Sequence, residues 1–290
     1  MINETARFQE RTTNAHRRYG DALPRALGRK RLARMHEILS FLQDREAVTL
    51  DELTALLRVS AATIRRDLAE LEQQGLLVRT HGGAQAIELP DEIPVRLRGS
   101  QFRRAKQLIA QRTSRLIPPG PHTLAVSGGT TTTEVVRTLR YRADLTIITN
   151  SLHIAAECAP WPHVKVVITG GVVRSQSFEA TGPLSEAAFN SINVATAVLG
   201  VDGVSAAGGI TTHDETEARV SQAMVSHARR VIVVADSSKI GKVTLARMAD
   251  IDEVHDVVTD SDADPDELER IRRSGVRLHI VQERERQAPQ

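Results

Sequence analysis

The fold of the N-terminal part of this chain is decided by residues 48–68, which read VTLDELTALLRVSAATIRRDL. Asp51 can cap a short, leucine-rich helix, and Ser60 can cap a second one by accepting a backbone N–H of its first turn. Only a tight turn at residues 58–59 separates the two helices. The stretch therefore predicts a helix-turn-helix, a unit that can present its second helix to the major groove of DNA.

The second helix has an apolar side and a polar side. Ile64, Leu68 and Leu71 recur at helical spacing and are expected to face a core. Arg65 and Arg66 project elsewhere near the start of the helix, where an arginine can pair with guanine. A pair of arginines is also typical of an ordinary solvated helix face, so this feature alone does not decide for DNA.

The residues that follow predict a wing. Gly75 is a natural end for the helix, and a strand, a basic tip and a Gly-Gly turn follow within residues 76–84. In this order and spacing, the elements indicate a winged helix-turn-helix over residues 29–86. The predicted DNA contacts are Ser60, Thr63, Arg65, Arg66, Arg79 and His81.

The composition of the chain argues against several kinds of binding site and against a membrane protein. The chain has 290 residues, enough for about two domains, and only 3% of them are aromatic, which argues against a stacking platform for single-stranded bases. The single cysteine, Cys158, excludes an internal disulfide and a cysteine-based zinc site, and we expect it to be a small buried apolar residue. No apolar run approaches the ~18 residues of a membrane span and no signal peptide is recognisable, so we expect a cytoplasmic protein without a membrane partner.

Positive charge is concentrated at the start of the chain. Residues 1–36 hold nine Arg or Lys against three acids, an excess that would attract phosphate backbones. The alternative for the first part of this stretch is a solvated, disordered extension, because it lacks apolar periodicity. Further along, two prolines and flanking acids within residues 89–94 oppose any regular element. The predicted organisation is a basic extension 1–28, a DNA-binding domain 29–86, a linker 87–99, an α/β domain 100–283 and a tail 284–290.

The second domain is predicted to be α/β. Short β-branched runs alternate with helical stretches of 10–20 residues, a pattern typical of a mostly parallel sheet with crossover helices. The seven predicted strands are Thr123–Val126, Leu145–Thr149, Val164–Thr169, Ala195–Gly200, Val231–Ala235, Asp256–Thr259 and Val276–Val281.

The loop after the first of these strands can bind an anion. It reads SGGTT at residues 127–131, and a helical stretch, Val135–Leu139, follows. A strand, a loop of small and hydroxyl-bearing residues and a helix N-terminus together attract negative charge. The spacing fits neither the P-loop nor the dinucleotide motif. A simple tight turn between strand and helix is the competing interpretation.

Further polar or glycine-rich residues follow the other strands. They lie at residues 149–151, 169–171, 200–203, 208–212 and 236–239. Because ligands bind beyond the carboxyl ends of strands in an open α/β sheet, these exits predict a binding crevice. Asp236 could hold sugar hydroxyls while Lys239 meets a phosphate. A surface ion pair that caps a helix is the alternative for these two residues.

The motifs at both ends of the chain resemble the DeoR family of bacterial transcriptional regulators. The first motif on which the resemblance rests is VSxxTIRRDLxxLExxGLL at residues 59–77, followed by RxHGGA at 79–84. The second set of motifs comprises TNS at 149–151, the glycine pair at 170–171 and DxSKxG at 236–241. The resemblance extends from about residue 29 to the C-terminus.

The resemblance implies a sensor domain similar in fold to ribose-5-phosphate isomerase and coenzyme A transferases, with phosphorylated sugars as ligands. It implies that residues 127–132 and Lys239 hold the phosphate, that Lys106 stands where the family commonly has lysine, and that Asp202 binds hydroxyls. The family usually begins its first loop with Asp-Ser-Gly-Thr-Thr, so this chain lacks a carboxylate there and is expected to favour a different sugar. The predicted effector-binding residues are Lys106, Ser127, Gly128, Gly129, Thr130, Thr131, Asn150, Ser151, Gly170, Asp202, Asp236 and Lys239.

The leading prediction is an operator-binding regulator whose affinity for double-stranded DNA is changed by a phosphorylated sugar or related metabolite; the resemblance implies repression. Because one winged helix reads few bases, we expect a homo-oligomer on half-sites about 10 bp apart or multiples of it.

No cofactor or metal is expected, since His153 and Glu157 lack a third ligand. The alternatives are a sugar-phosphate isomerase or transferase with Glu217 or Asp236 as the base, and an architectural DNA binder without a ligand.

Overall fold

The structure is a computed structural model that describes residues 28–43, 45–87, 92–99 and 101–282. The predicted basic extension, apart from residue 28, and the predicted tail lie outside these ranges. In the described part of the chain, no helix combines the length and the apolar character needed to cross a bilayer.

The N-terminal domain is a winged helix-turn-helix, as predicted. Its elements are α1 (Arg29–Gln43), β1 (Ala47–Thr49), α2 (Leu50–Leu57), α3 (Ala61–Gln73), β2 (Val78–Thr80) and β3 (Gly83–Gln85). The three strands form an antiparallel sheet in the order β1-β3-β2, with β2 and β3 as the wing. Ile64, Leu68 and Leu71 of α3 are buried with leucines of α1 in one apolar core, which fixes α3 against the rest of the domain.

The caps of these helices differ from the prediction at one position. Thr49, not Asp51, caps α2: its hydroxyl accepts the N–H of Glu52 at 3.2 Å, and its own N–H donates to the Glu52 carboxylate at 2.8 Å. Asp51 lies inside the first turn, where its charge favours the helix dipole. Ser60 caps α3 as predicted, and Gly75 follows the helix end with a φ of +67°, a conformation that glycine adopts without strain.

The predicted linker contains a helix that was not predicted, α4 (Val95–Arg98), directly after the residues 89–94 whose composition opposes a regular element. A helix of four residues is not stable by itself, so its packing must hold it. Leu97 is fully buried in the core of the winged helix, and Ile93 packs against the same core. Burial of one leucine side chain contributes about 1.5–3 kcal/mol, which the proline and acid content of this segment does not reveal.

The second domain is built on a seven-stranded parallel sheet, which confirms the α/β prediction. Its elements are α5 (Arg103–Ser114), β4 (His122–Val126), α6 (Thr130–Thr138), β5 (Leu145–Thr149), α7 (Leu152–Cys158), β6 (Val164–Ile168), β7 (Val172–Arg174), β8 (Glu179–Thr181), α8 (Pro183–Asn190), β9 (Thr196–Gly200), β10 (Gly203–Ser205), β11 (Gly209–Thr212), α9 (Glu215–Ser226), β12 (Val231–Val234), β13 (Ala246–Ala249), β14 (Asp256–Asp260), α10 (Pro265–Arg273) and β15 (Arg277–Val281). The order of the large sheet is β15-β14-β12-β9-β4-β5-β6, and apolar cores cover both of its faces.

The strand order places a crevice between β4 and β9. From β4 the chain adds β5 and β6 on one side, and it then returns to add β9 on the other side. Such a reversal leaves an opening beyond the carboxyl ends of the strands, where ligands of α/β proteins bind. A small sheet, β10-β11-β13, and a hairpin, β7-β8, border this end; their strands of three or four residues were not predicted.

Candidate DNA-binding surface and ligand cavity

The recognition helix α3 leaves two arginines available to DNA. Arg65 and Arg66 are exposed, and neither side chain has an ion pair among the described residues. Ser60 and Thr63 lie beside them at the helix start, with their hydroxyl oxygens 3.0 Å apart. The structure therefore brings these four predicted contacts to one surface, with two hydroxyls and two guanidinium groups at the end of the helix that would enter a groove.

A buried carboxylate fixes the angle between α3 and α1. Asp67 is 1% exposed, and its two oxygens accept from Arg31 Nε at 2.9 Å and Arg34 Nε at 2.8 Å. These two arginines belong to the basic stretch whose charge was expected to attract phosphate, yet they are engaged inside the domain. The signal was present in the sequence, because Asp67 occupies an inward position of the apolar pattern of α3.

The wing is braced against the recognition helix. Arg79 Nε lies 2.7 Å from Glu72 Oε2 of α3, and the backbone N–H of Arg79 donates to the other oxygen of Glu72 at 3.0 Å. These hydrogen bonds lower the pKa of Glu72. His81 is exposed at the tip of the wing. Arg79 therefore positions the wing relative to α3.

A cavity of about 380 Å³ opens at the crevice of the large sheet. Its size is within the range of pockets for small molecules. It is bordered by strand exits of the sheet, by the linker and by α1 of the DNA-binding domain. The predicted effector residues that it brings together are Lys106, Ser127, Gly128, Gly129, Thr130, Thr131, Asp202, Asp236 and Lys239.

Three predicted effector residues do not line this cavity. Asn150 is buried and its Nδ2 donates to the carbonyl of Ala180 at 3.2 Å. Ser151 caps α7 by accepting the N–H of Ile154 at 3.4 Å. Gly170 is exposed beyond β6, the last strand on that side of the sheet. These residues follow β5 and β6, which lie one and two strands away from the crevice.

The anion loop is shorter than predicted because α6 begins at Thr130, not at Val135. Gly129 precedes the first turn of α6, and its carbonyl accepts the hydroxyls of Thr132 at 3.1 Å and Thr133 at 2.7 Å. The side chain of Ser127 accepts the N–H of Gly200 at 3.0 Å, which ties the exits of β4 and β9 together. Residues 127–131 thus place a helix N-terminus, with its partial positive charge, at the cavity wall.

A carboxylate of the protein itself occupies part of this loop. Glu179 of β8 is buried, and its Oε1 accepts the N–H of Gly128. Any side chain at position 128 would collide with Glu179, so glycine is required for this approach. Burial raises the pKa of Glu179, and the nearby charge of Glu217 raises it further. Sequence reasoning missed Glu179, because β8 is too short to be recognised and nothing local connects it to the loop.

The charged residues of the cavity form ion pairs with partners that are distant in the sequence. The surface ion pair between Asp236 and Lys239, considered as the alternative, does not form: Lys239 Nζ lies 3.2 Å from Asp202 Oδ1, and Lys106 Nζ lies 3.7 Å from Asp236 Oδ2. Asp236 also accepts the N–H of Ser238 at 3.2 Å and so caps the short helix Ser237–Lys239, which is the capping part of that alternative.

Burial and neighbouring charges change how two of these groups titrate. Burial opposes ionisation of Asp202, but the charges of Arg98 and Lys239 outweigh it and lower its pKa to about 2. Burial lowers the pKa of Lys106 to about 8, with further contributions from Lys239 and Arg98, while Asp236 opposes the shift. In the cavity, the Asp202 carboxylate is therefore ionised near neutral pH, and the Lys106 ammonium loses its proton at about pH 8.

The DNA-binding domain contributes to the cavity wall. His36 of α1 is buried, and its Nδ1 lies 2.9 Å from Nε2 of Gln101, at the start of the second domain. Burial lowers the pKa of His36 to about 4, and the positive charges of Lys106 and Arg98 contribute. No motif in the sequence connects α1 with the second domain, so this residue was missed. A ligand in the cavity would therefore lie against both domains.

Comparison with known proteins agrees with this two-domain arrangement. A family model described as the DeoR-like helix-turn-helix domain matches residues 34–89, and one described as the DeoR C terminal sensor domain matches residues 101–261. The chain belongs to the DeoR family. As a member of this family it is a DNA-binding transcriptional regulator, which confirms the leading prediction at that level.

Several relatives of this DeoR-family chain are similar over most of their length. A provisionally named aga operon transcriptional repressor of Escherichia coli O157:H7 is 34% identical over 89% of this chain and 98% of its own. The regulator GlpR of Haloferax volcanii is 33% identical over 84% and 95%, and the glycerol-3-phosphate regulon repressor of Escherichia coli K12 is 30% identical over 80% and 92%. A ribose 5-phosphate isomerase from Methanocaldococcus jannaschii shares 16% identity over 46% of this chain and 52% of its own, with a TM-score of 0.34, a likeness too weak to support a conclusion.

Other residues singled out in the sequence have structural roles in this DeoR-family chain. Glu157 accepts from Arg137 Nη2 at 2.8 Å, which is an ion pair between α6 and α7. Cys158 is buried, and burial raises its pKa to about 12, so it behaves as an apolar residue. Glu217, the base considered for the enzyme alternative, reaches the cavity wall and accepts from Arg174 Nη1 at 2.9 Å.

Proposed function

We propose that this DeoR-family chain represses genes of carbohydrate metabolism and that a phosphorylated sugar, bound in the cavity between its domains, controls its affinity for operator DNA. The observation that carries the proposal is the cavity itself. It places Lys106, Lys239 and the start of α6 around one space, with His36 of the DNA-binding domain at its wall. The names of the relatives, which include a repressor of a glycerol-3-phosphate regulon, support the same class of effector.

The two ends of such a ligand meet different groups. We infer that the phosphate binds at Lys106, Lys239 and the N-terminus of α6, since two ammonium groups and a helix dipole all favour an anion. The hydroxyls of the sugar would meet the carboxylates of Asp202 and Asp236.

We propose that Arg65 and Arg66 contact bases, while Ser60, Thr63, Arg79 and His81 contact the DNA backbone or the minor groove. The exposure of the two arginines, without an ion pair among the described residues, supports this assignment. An arginine that pairs with guanine contributes about 1–3 kcal/mol of discrimination between bases.

The test is a fluorescence-anisotropy titration of the full chain against its own upstream DNA at fixed salt, with and without a panel of sugar phosphates. Each ester is compared with its dephosphorylated sugar. We expect tight DNA binding that one ester weakens and its parent sugar does not. Tight binding that no compound changes would leave the regulator without a small-molecule effector, as in the architectural alternative, and would contradict the proposal.

We further propose that the chain is not an enzyme. Isomerisation needs a carboxylate that is free to take a proton from the sugar. The two carboxylates considered for this role are engaged: Glu217 with Arg174, and Asp236 with Lys106 and the N–H of Ser238. Incubation of the purified chain with each sugar phosphate, followed by NMR of the mixture, should detect no interconversion; conversion above the background rate would overturn this statement.

A single winged helix reads only a few base pairs, so we propose that the chain acts as a homo-oligomer on repeated half-sites, in the cytoplasm where it would meet operator DNA. Sedimentation analysis of the free chain and of its operator complex tests the oligomer. A monomer that binds one isolated half-site as tightly as the whole operator would contradict it.

A further inference from the structure

The linker helix α4 has two faces that belong to different domains. Leu97 is fully buried in the core of the winged helix, whereas its neighbour Arg98 lines the ligand cavity together with Glu92 and Val95. Adjacent residues of one short helix thus pack into the DNA-binding core and into the sensor. A displacement of the backbone at Arg98 must therefore move Leu97 as well.

The guanidinium of Arg98 is only partly satisfied. Its Nη1 lies 3.0 Å from Asp202 Oδ1, and its Nη2 lies 2.8 Å from Glu92 Oε1. Its Nε–H is buried and has no hydrogen-bond partner in the described ranges. A buried donor without an acceptor is unfavourable, and a guanidinium offers five donors in a fixed plane that matches a phosphate or a carboxylate. Arg98 thus lines the cavity that is already the candidate effector site, and its guanidinium is only partly satisfied there.

The position of α4 depends on residues of the sensor domain. Lys106 Nζ donates to the carbonyl of Arg98 at 3.2 Å, and the N–H of Val95 donates to the carbonyl of Gln176 at 2.8 Å. Glu92, just before α4, lies 2.5 Å from Arg174 Nη2. A ligand that engages Lys106 would therefore loosen one of these ties, since the same ammonium group holds α4.

We propose that Arg98 binds the anionic group of the effector, that it leaves Asp202 to do so, and that the resulting shift of α4 reaches the recognition helix through Leu97. The inference rests on the proposed function, because it concerns the same ligand. A dianionic phosphate attracts a guanidinium more strongly than the single charge of Asp202 does. Two arrangements of Arg98, one with Asp202 and one with the ligand, give the differential binding that control of DNA affinity requires.

The experiment uses the full chain with inorganic phosphate and glycerol 3-phosphate as probes, at constant ionic strength. Ligand-induced shifts of the melting temperature give the affinities of wild type, Arg98→Gln, Arg98→Lys and the control Arg104→Gln, an exposed arginine of α5. We expect Arg98→Gln to bind the better probe about 10- to 100-fold more weakly, the loss of one charge-assisted hydrogen bond. Arg98→Lys should fall between, because it keeps the charge without the planar fork, and Arg104→Gln should equal wild type.

The outcomes separate this inference from the proposed function. If Lys239→Ala loses phosphate binding while Arg98→Gln matches Arg104→Gln, the role of Arg98 is overturned and the phosphate site stands. If wild type binds neither probe, both fail. The melting temperature without ligand shows whether Arg98→Gln is folded, and Arg98→Lys decides the question if it is not. When the same fraction of protein has bound ligand, the ligand should no longer change the operator affinity of Arg98→Gln. A ligand-induced change as large as that of wild type would overturn transmission through α4.

Discussion

Replacement of Asp67 by asparagine should destabilise the winged helix and leave the sensor domain unaffected. The Asp67 carboxylate is buried between α1 and α3 and accepts charge-assisted hydrogen bonds from Arg31 and Arg34. Asparagine has the same shape, but its amide nitrogen would face an arginine donor and could accept nothing. One of the two contacts is therefore lost entirely, and the other becomes a bond to a neutral acceptor.

The size of the effect follows from the exposure of the partners. Each hydrogen bond to a buried charged group contributes about 1.5–3 kcal/mol. The side chains of Arg31 and Arg34 are 31% and 20% exposed, so water recovers part of what they lose. We expect a decrease of about 2–3 kcal/mol in the free energy of unfolding of the winged helix. For a domain of this size the melting temperature should fall by roughly 10–20 °C.

The assay exploits the single tryptophan of the chain, Trp161, which packs on a core of the α/β domain. Its fluorescence during denaturation reports the sensor, whereas far-UV circular dichroism reports both domains. Asp67→Asn should shift the dichroism transition and leave the fluorescence transition in place. Glu37→Gln, which removes an exposed carboxylate from the same helix α1, is the control and should change stability by less than about 0.5 kcal/mol. A dichroism transition within that margin of the control would refute the role assigned to Asp67.

Three further predictions concern the two binding surfaces. Arg66→Ala should weaken operator binding by about 1–3 kcal/mol, or roughly 5- to 150-fold in anisotropy titrations, while the Trp161 transition stays unchanged; unaltered operator affinity would contradict the recognition-helix assignment. Lys239→Ala should bind operator like wild type but lose the response to phosphate esters, and a normal response would place the phosphate elsewhere. Affinity for a phosphate ester should fall as the pH rises through about 8, because Lys106 then loses its proton. In Lys106→Arg, the affinity measured by calorimetry should depend less on pH. An equally steep pH profile in that variant would exclude Lys106 as its cause. 

The elements that the sequence predicts well are those whose signals are local. All seven predicted strands occur in the parallel sheet, because each is a short run with β-branched residues that favours a strand by its own composition. The helix-turn-helix is equally local, since the Ser60 cap, the apolar spacing of α3 and Gly75 each depend on residues a few positions away. The helix α6 begins five residues before its predicted start, because four threonines have low helix propensity and do not indicate a helix by themselves.

The parts of the site that sequence reasoning missed depend on distant contacts. Glu179 reaches the anion loop from a strand of three residues, and His36 reaches the cavity from the other domain. The helix α4 exists because Leu97 is buried in a core that only the folded chain creates. Charge pairing follows the same rule: Lys239 lies three residues from Asp236 in the sequence, yet its partner in the structure is Asp202.

The separation of Arg98 and Asp202 along the chain has a consequence during synthesis. The two residues are 104 positions apart, whereas the winged helix is complete before Arg98 is made. At about 5–20 residues per second, roughly 5–20 s pass before the partner of Arg98 has been translated. Throughout that interval the nascent chain already contains every element that would read DNA and still lacks the carboxylate that ties the linker to the sensor. The order of the two domains along the polypeptide thus makes the DNA-reading part available first and its restraint last.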